Sequence, residues 1–117
     1  MRALFIALAA LTAASPAQAA ESGSERGRAL FDKIGCWECH GYSGQGGIGP
    51  MSGPRIAHTV LPQEVFIALL RRPVNVMPPF GPALLTDQQV VDIYAFLQSR
   101  PQPKPASEIP LLKGTAP

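Results

Sequence analysis

Both cysteines of the chain fall within five residues, Cys36-Trp37-Glu38-Cys39-His40. Two thiols and an imidazole at this spacing could form or exchange a disulfide, bind a metal ion, or hold a covalently attached haem. On a helix, Cys36 and Cys39 lie three apart on one face, where both sulfurs can reach the two vinyl groups along one porphyrin edge. His40 lies four residues from Cys36 on that same face, so its imidazole can be brought beneath the iron. Cys-x-x-Cys-His is the attachment pattern for such a haem. A competing reading must explain why the histidine comes immediately after the second cysteine.

The rivals are weaker on chemical grounds. In an oxidising compartment two lone cysteines can simply pair, and a Cys-x-x-Cys pair can serve thiol–disulfide exchange, but that motif belongs to a βαβ setting. No convincing alternating strand is visible after residue 20. A zinc site needs about four ligands, which Cys36, Cys39, His40 and His58 could supply only by coincidence.

Residues 1–19 read as a secretory signal peptide. Arg2 supplies the positive end, Ala3 to Leu11 the apolar stretch, and Ala17-Gln18-Ala19 the small residues of a cleavage site. The apolar run is shorter than the roughly 20 residues that span a bilayer, and no later segment is long and apolar enough to do so. The expected location is the periplasm. Beyond the signal, residues 20–100 have the length of one domain, with a proline-rich tail at 101–117. A chain this short, with few aromatic residues, buries a modest core, which a large flat cofactor would enlarge. The formal net charge of the whole chain is only +2 and its basic residues are scattered, so nothing points to nucleic acid.

The pattern predicts three helices besides the cysteine segment. The first begins near Ser22, where Ser22-x-x-Glu25 makes a capping box, and runs with Gly27, Leu30, Phe31 and Ile34 on one face. Glycine on such a face costs stability unless another helix approaches closely there. Gly35 marks a break. The last helix starts at Thr86, with Thr86-x-x-Gln89 as a second capping box. Val90, Ile93, Tyr94 and Leu97 form its stripe, and Pro101 bars its continuation. A middle helix spans about Pro62 to Leu70, Pro62 suiting its first turn and Val65, Phe66, Leu69 and Leu70 its apolar stripe. Arg71 and Arg72 complement the C-terminal dipole of that helix or stand beside haem propionates.

Between the helices lie a glycine-rich stretch, from Gly41 to Pro54, and an irregular one, from Pro73 to Leu85. Long structureless loops inside a small domain need a functional reason; wrapping the two faces of a haem is one. The tail reads as extended or disordered.

In order along the chain, the Gly27…Phe31 helix, Cys-x-x-Cys-His, a loop with Gly49-Pro50, Met77-Pro78 and the Leu85-Thr86-Asp87…Leu97 helix resemble a class I c-type cytochrome over roughly residues 24–100. The resemblance implies an all-α fold, a small cytochrome c-like domain with packed N- and C-terminal helices around one covalent haem c. It implies thioethers at Cys36 and Cys39, His40 and Met77 as the iron ligands, and the carbonyl of Pro50 as acceptor for His40. Members of the family shuttle single electrons, alone or as subunits of larger enzymes, so redox proteins are the implied partners, a periplasmic dehydrogenase among them. The chain departs from the family in the short separation of His40 and Met77, which implies a trimmed segment and a more exposed haem edge.

Other ligand chemistry can be weighed against Met77. Thioether sulfur raises the reduction potential relative to bis-histidine ligation, and Pro78 holds the preceding methionine in an extended backbone. Met51 lies in the loop that, by resemblance, passes the proximal histidine; His58 is the rival ligand. Arg55 pairs with a propionate or is a solvated loop cation. An electron carrier without substrate chemistry is the expected function. A peroxidase-like enzyme would need an open iron position and distal acid–base residues, for which two histidines in all leave little provision.

Overall fold

In the computed structural model, residues 21–112 are described. The expected signal segment, 1–19, and the end of the tail lie outside them. Four helices make the domain: α1 (Gly23–Ile34), α2 (Cys36–His40), α3 (Gln63–Arg71) and α4 (Asp87–Gln98). Two single-turn 3-10 segments come after α4, at Ala106–Glu108 and Pro110–Leu112. Among the described residues there is no strand, and the fold is all-α. No helix among them is long and apolar enough to cross a membrane.

The helix starts are written locally. Ser22 caps α1 through its hydroxyl, which accepts from the Glu25 N–H at 3.2 Å, while the Glu25 carboxylate accepts from the Ser22 N–H at 2.8 Å. Thr86 and Gln89 repeat the exchange at the start of α4, at 3.3 and 2.8 Å. Each box satisfies two backbone donors that the first turn leaves free. Gly35, in the left-handed region at φ 85°, ends α1 and begins α2.

α1 and α4 cross at Gly27. A β-carbon there would lie 1.8 Å from the Asp92 carbonyl oxygen, so glycine is what allows the two backbones to touch. Next to this contact Phe31 meets Phe96, ring centroids 5.3 Å apart. Leu30 and Ile34 pack half-buried on the same core. The Asp92 carboxylate is itself buried and takes a two-pronged ion pair from Arg26, at 2.9 and 3.0 Å. The guanidinium holds that carboxyl below the usual Asp range.

α4 is enclosed on more than one side, with Val90, Ile93, Phe96 and Leu97 all at 2 % exposure or less. Its second neighbour is α3, whose Phe66 packs edge-on against Tyr94 at 5.4 Å. Burying a side chain of this size contributes roughly 1.5–3 kcal/mol. α3 starts at Gln63, one residue later than expected, and Pro62 is its cap rather than its first helical residue. Its buried stripe is narrower too: Phe66 and Leu70 are buried, while Val65 is 43 % exposed. A nine-residue helix lying on a single neighbour buries two turns of one face, and Val65 falls outside that face.

Two chain segments are tied to these helices by side chains of α3 and α4. The Tyr94 hydroxyl donates to the Leu61 carbonyl at 2.9 Å and the Gln98 amide to the Thr59 carbonyl at 2.8 Å. Arg71 donates to the Phe80 carbonyl at 2.6 Å and pairs with Asp87, the first residue of α4.

Candidate functional site

α2 is the Cys-x-x-Cys-His segment itself, one helical turn set directly after α1. Cys36 and Cys39 are both free thiols, three residues apart on that turn. Cys36 faces the core, and burial pushes its thiol up to about 11, with the charge of Asp32 adding to the shift. A thiol so placed stays protonated at neutral pH. The attacking cysteine of an exchange motif needs the opposite shift, and the βαβ setting is absent from the described residues. Nor do those residues contain a cluster of three or more His, Cys, Asp or Glu that could hold a metal ion, as the zinc reading requires.

His40 is 8 % exposed, and its Nδ1 lies 2.8 Å from the Pro54 carbonyl oxygen. A carbonyl can only accept, so Nδ1 carries the hydrogen and Nε2 the lone pair. This is the tautomer an iron ligand needs, with the far nitrogen anchored and the ring fixed in direction. The acceptor is Pro54, however, and not Pro50. The sequence contains two Gly-Pro pairs in this loop, Gly49-Pro50 and Gly53-Pro54, and backbone hydrogen bonds select the second. The Gly53 N–H donates to the Cys39 carbonyl at 2.7 Å, the Gly46 N–H to the His40 carbonyl at 2.8 Å, and the Gly47 N–H to the Gly53 carbonyl at 3.1 Å. These bonds fold the loop back under α2. A β-carbon at Gly53 would lie 2.6 Å from the imidazole Cε1, so the loop makes a cradle for the ring that any side chain would fill.

The donor set fits a covalent haem: two reduced thiols on one turn and an imidazole with its tautomer fixed by a backbone acceptor. Trp37, between the cysteines, packs half-buried against the core. Its indole N–H donates to the Asp32 carbonyl at 3.2 Å and its ring stacks on Tyr42 at 4.7 Å, within 7° of parallel.

Met77 lies on the Pro73–Leu85 segment, half-buried against the core. Asn75 precedes it in the left-handed region at φ 58°, where asparagine is tolerated better than most residues. His58 sits on the other loop. The N–H groups of Ile56 and Ala57 both donate to the Gly44 carbonyl at 2.8 Å, and that of His58 donates to the Leu97 carbonyl at 3.2 Å. His58 is therefore fastened to α4, at the end of the loop that backs His40. Met51 is 65 % exposed on that loop. Arg55 is exposed, beside Ser43, Gln45 and Arg100 on a shallow groove. Two contributors escaped sequence reasoning: Gly53-Pro54, whose signal was the repeated Gly-Pro pair, and the Arg71 tie to Phe80.

Neither the curated proteins nor the solved structures yield a match to the chain. A family model does match, over residues 23–97, from the first residue of α1 to the last turn of α4, and thus over well over half of the chain. Its description is cytochrome C oxidase, cbb3-type, subunit III, a family of c-type cytochromes, which are electron-carrying haem proteins. With the attachment turn, the anchored histidine and the crossed terminal helices all inside the matched span, the chain belongs to this c-type cytochrome family.

Proposed function

We propose that the protein is an exported, periplasmic one-electron carrier with a single haem c, joined through Cys36 and Cys39 and ligated by His40 and Met77. It passes electrons between redox proteins, either as a free carrier or as the electron-accepting subunit of a dehydrogenase or oxidase. It performs no substrate chemistry of its own. The observation that carries the reading is the His40 Nδ1 bond to the Pro54 carbonyl on the same turn as both thiols. When bound, the haem supplies the one-electron iron couple. The residues of the chain then do the rest: the thiols fix the porphyrin edge, Pro54 aims the His40 ring, and the glycine loop closes over it.

Met77 is the second ligand because the two loops divide the candidates. His58 and Met51 ride on the loop that backs His40, whereas Met77 rides on the other, beside a turn and two prolines that stiffen it. A rigid thioether loop supports fast electron exchange by reorganising little, and methionine raises the potential above that of a bis-histidine site. Export rests on the basic Arg2, the apolar Ala3–Leu11 run and Ala17-Gln18-Ala19.

Protein produced in a host with haem-attachment machinery is expected to carry the mass of one haem and to lack residues 1–19. Haem-free protein of normal fold would overturn the assignment. Met77→Ala is expected to keep the haem attached while lowering the reduction potential and removing the methionine–iron charge-transfer band. An unchanged potential would transfer the role to another ligand, with His58 the first to test. A five-coordinate, high-spin ferric spectrum in the unaltered protein would favour an open-site enzyme instead.

A further inference from the structure

We propose that Arg71 is a positioning residue that sets how firmly the Pro73–Leu85 segment holds Met77 against the iron; the inference rests on the assignment of Met77 as ligand. The segment is poor in bonds of its own. Pro73, Pro78, Pro79 and Pro82 have no N–H to donate. Among the described residues, apart from the single turn at Asn75–Val76, the backbone hydrogen bonds of this segment begin only at Phe80.

Phe80 is where the segment is fastened, and both of its backbone groups go to the last turn of α3. Its N–H donates to the Leu70 carbonyl at 2.9 Å, and its carbonyl accepts from the Arg71 guanidinium at 2.6 Å. Leu70 and Arg71 are the final two residues of α3, so the first of these bonds also satisfies a carbonyl that the helix end leaves free. The second bond is charge-assisted, hence roughly twice as strong as a neutral one.

Asp87 completes the device. Its carboxylate pairs with the other arm of the guanidinium, and Asp87 is the first residue of α4. One side chain therefore joins the end of α3, the methionine segment and the start of α4. The Arg71 side chain is only 17 % exposed, against 70 % for Asp87, which places the clamp on Phe80 in the drier surroundings and the brace at the surface. Met77 is three residues from Phe80, close enough for release at Phe80 to be felt at the sulfur. Both arms of the guanidinium are thus committed to protein partners, Phe80 and Asp87.

Imidazole tests the proposal, because it binds ferric iron only when the methionine leaves. The probe is titrated into the ferric holoprotein and its Kd read from the visible spectrum. Arg71→Met, which keeps the apolar stem and removes the donors, is expected to tighten imidazole binding roughly tenfold, as the open state becomes more populated. Arg71→Lys should recover most of the original affinity, since an ammonium can still donate to the Phe80 carbonyl. Asp87→Asn should tighten binding by a smaller factor, and it stays informative if Arg71→Met accumulates poorly, because Asp87 is exposed. Ser22→Ala weakens the cap of α1, remote from the segment, and should leave the imidazole Kd unchanged. An unchanged Kd in Arg71→Met, or an equal change in Ser22→Ala, overturns the role of Arg71 while leaving Met77 as ligand. If Met77→Ala fails to tighten imidazole binding, the ligand assignment itself falls, and this inference with it.

Discussion

Gly27 and Asp92 bring α1 and α4 into backbone contact: a methyl group on the glycine would sit 1.8 Å from the aspartate carbonyl oxygen. The atom in the way belongs to the backbone of a buried helix, so no rotamer change relieves it. Gly27→Ala is expected to cost about 3 kcal/mol or more, the upper end for overpacking, despite the better helix propensity of alanine. Thermal or denaturant unfolding of the holoprotein measures this. Stability equal to the parent would mean that the helices separate without penalty.

Arg26 and Asp92 make stability depend on acid. The folded-state pKa of Asp92 is lowered, chiefly by its hydrogen bonds from Arg26. Its contribution is therefore complete above the unfolded value, about pH 4, and is lost as the pH falls through the lower folded value. Asp92→Asn is expected to be less stable than the parent at neutral pH and to lose less on acidification. Melting temperatures of both proteins between neutral pH and about pH 3 check the sign; parallel curves would contradict it.

Gly53→Ala places a methyl group where the His40 ring now lies, 2.6 Å from Cε1. The ring must tilt or the loop must rise, and the Pro54 acceptor moves with it. The expected result is retained covalent haem, a loss of about 2 kcal/mol of stability, and a raised high-spin fraction in the ferric spectrum. Gly49→Ala in the other Gly-Pro pair is the comparison: a β-carbon there meets nothing within 4 Å, although φ 115° still imposes backbone strain. It should leave the haem spectrum unaltered.

Asn75, at φ 58°, turns the chain just before Met77. Asn75→Gly adopts this region without penalty and should leave the reduction potential close to the parent's. Asn75→Val is strained there by about 1–2 kcal/mol and should loosen the segment, lowering the potential and weakening the methionine–iron band. Equal potentials for the two variants would show that the turn does not govern the ligand.

Local chemistry decided which features were legible in the sequence. The two capping boxes span four residues each, so Ser22–Glu25 and Thr86–Gln89 announce their helices without knowledge of the fold. Cys-x-x-Cys-His is likewise confined to one turn, and a glycine on the apolar face of α1 implied a close neighbour. The choice between Pro50 and Pro54 was not legible, because it depends on which amides of the loop reach the carbonyls of Cys39 and His40. Arg26 and Asp92 are 66 residues apart, and neither charge stands out until the helices cross. Arg71 looked like a dipole partner, since its reach to Phe80 and Asp87 exists only once α3, the proline-rich segment and α4 are assembled. Val65 misled because a short helix on one neighbour hides less of its surface than its apolar residues suggest.

The contact at Gly27 also orders events in time. A chain synthesised from its N-terminus cannot close a contact between positions 27 and 92 until α4 has emerged, and closing so long a loop is entropically unfavourable before the rest of the core rewards it. Through that interval the apolar face of α1 lacks its main partner, and Phe31 has no Phe96 to pack against. The core against which Cys36 packs is therefore completed last, with the docking of α4.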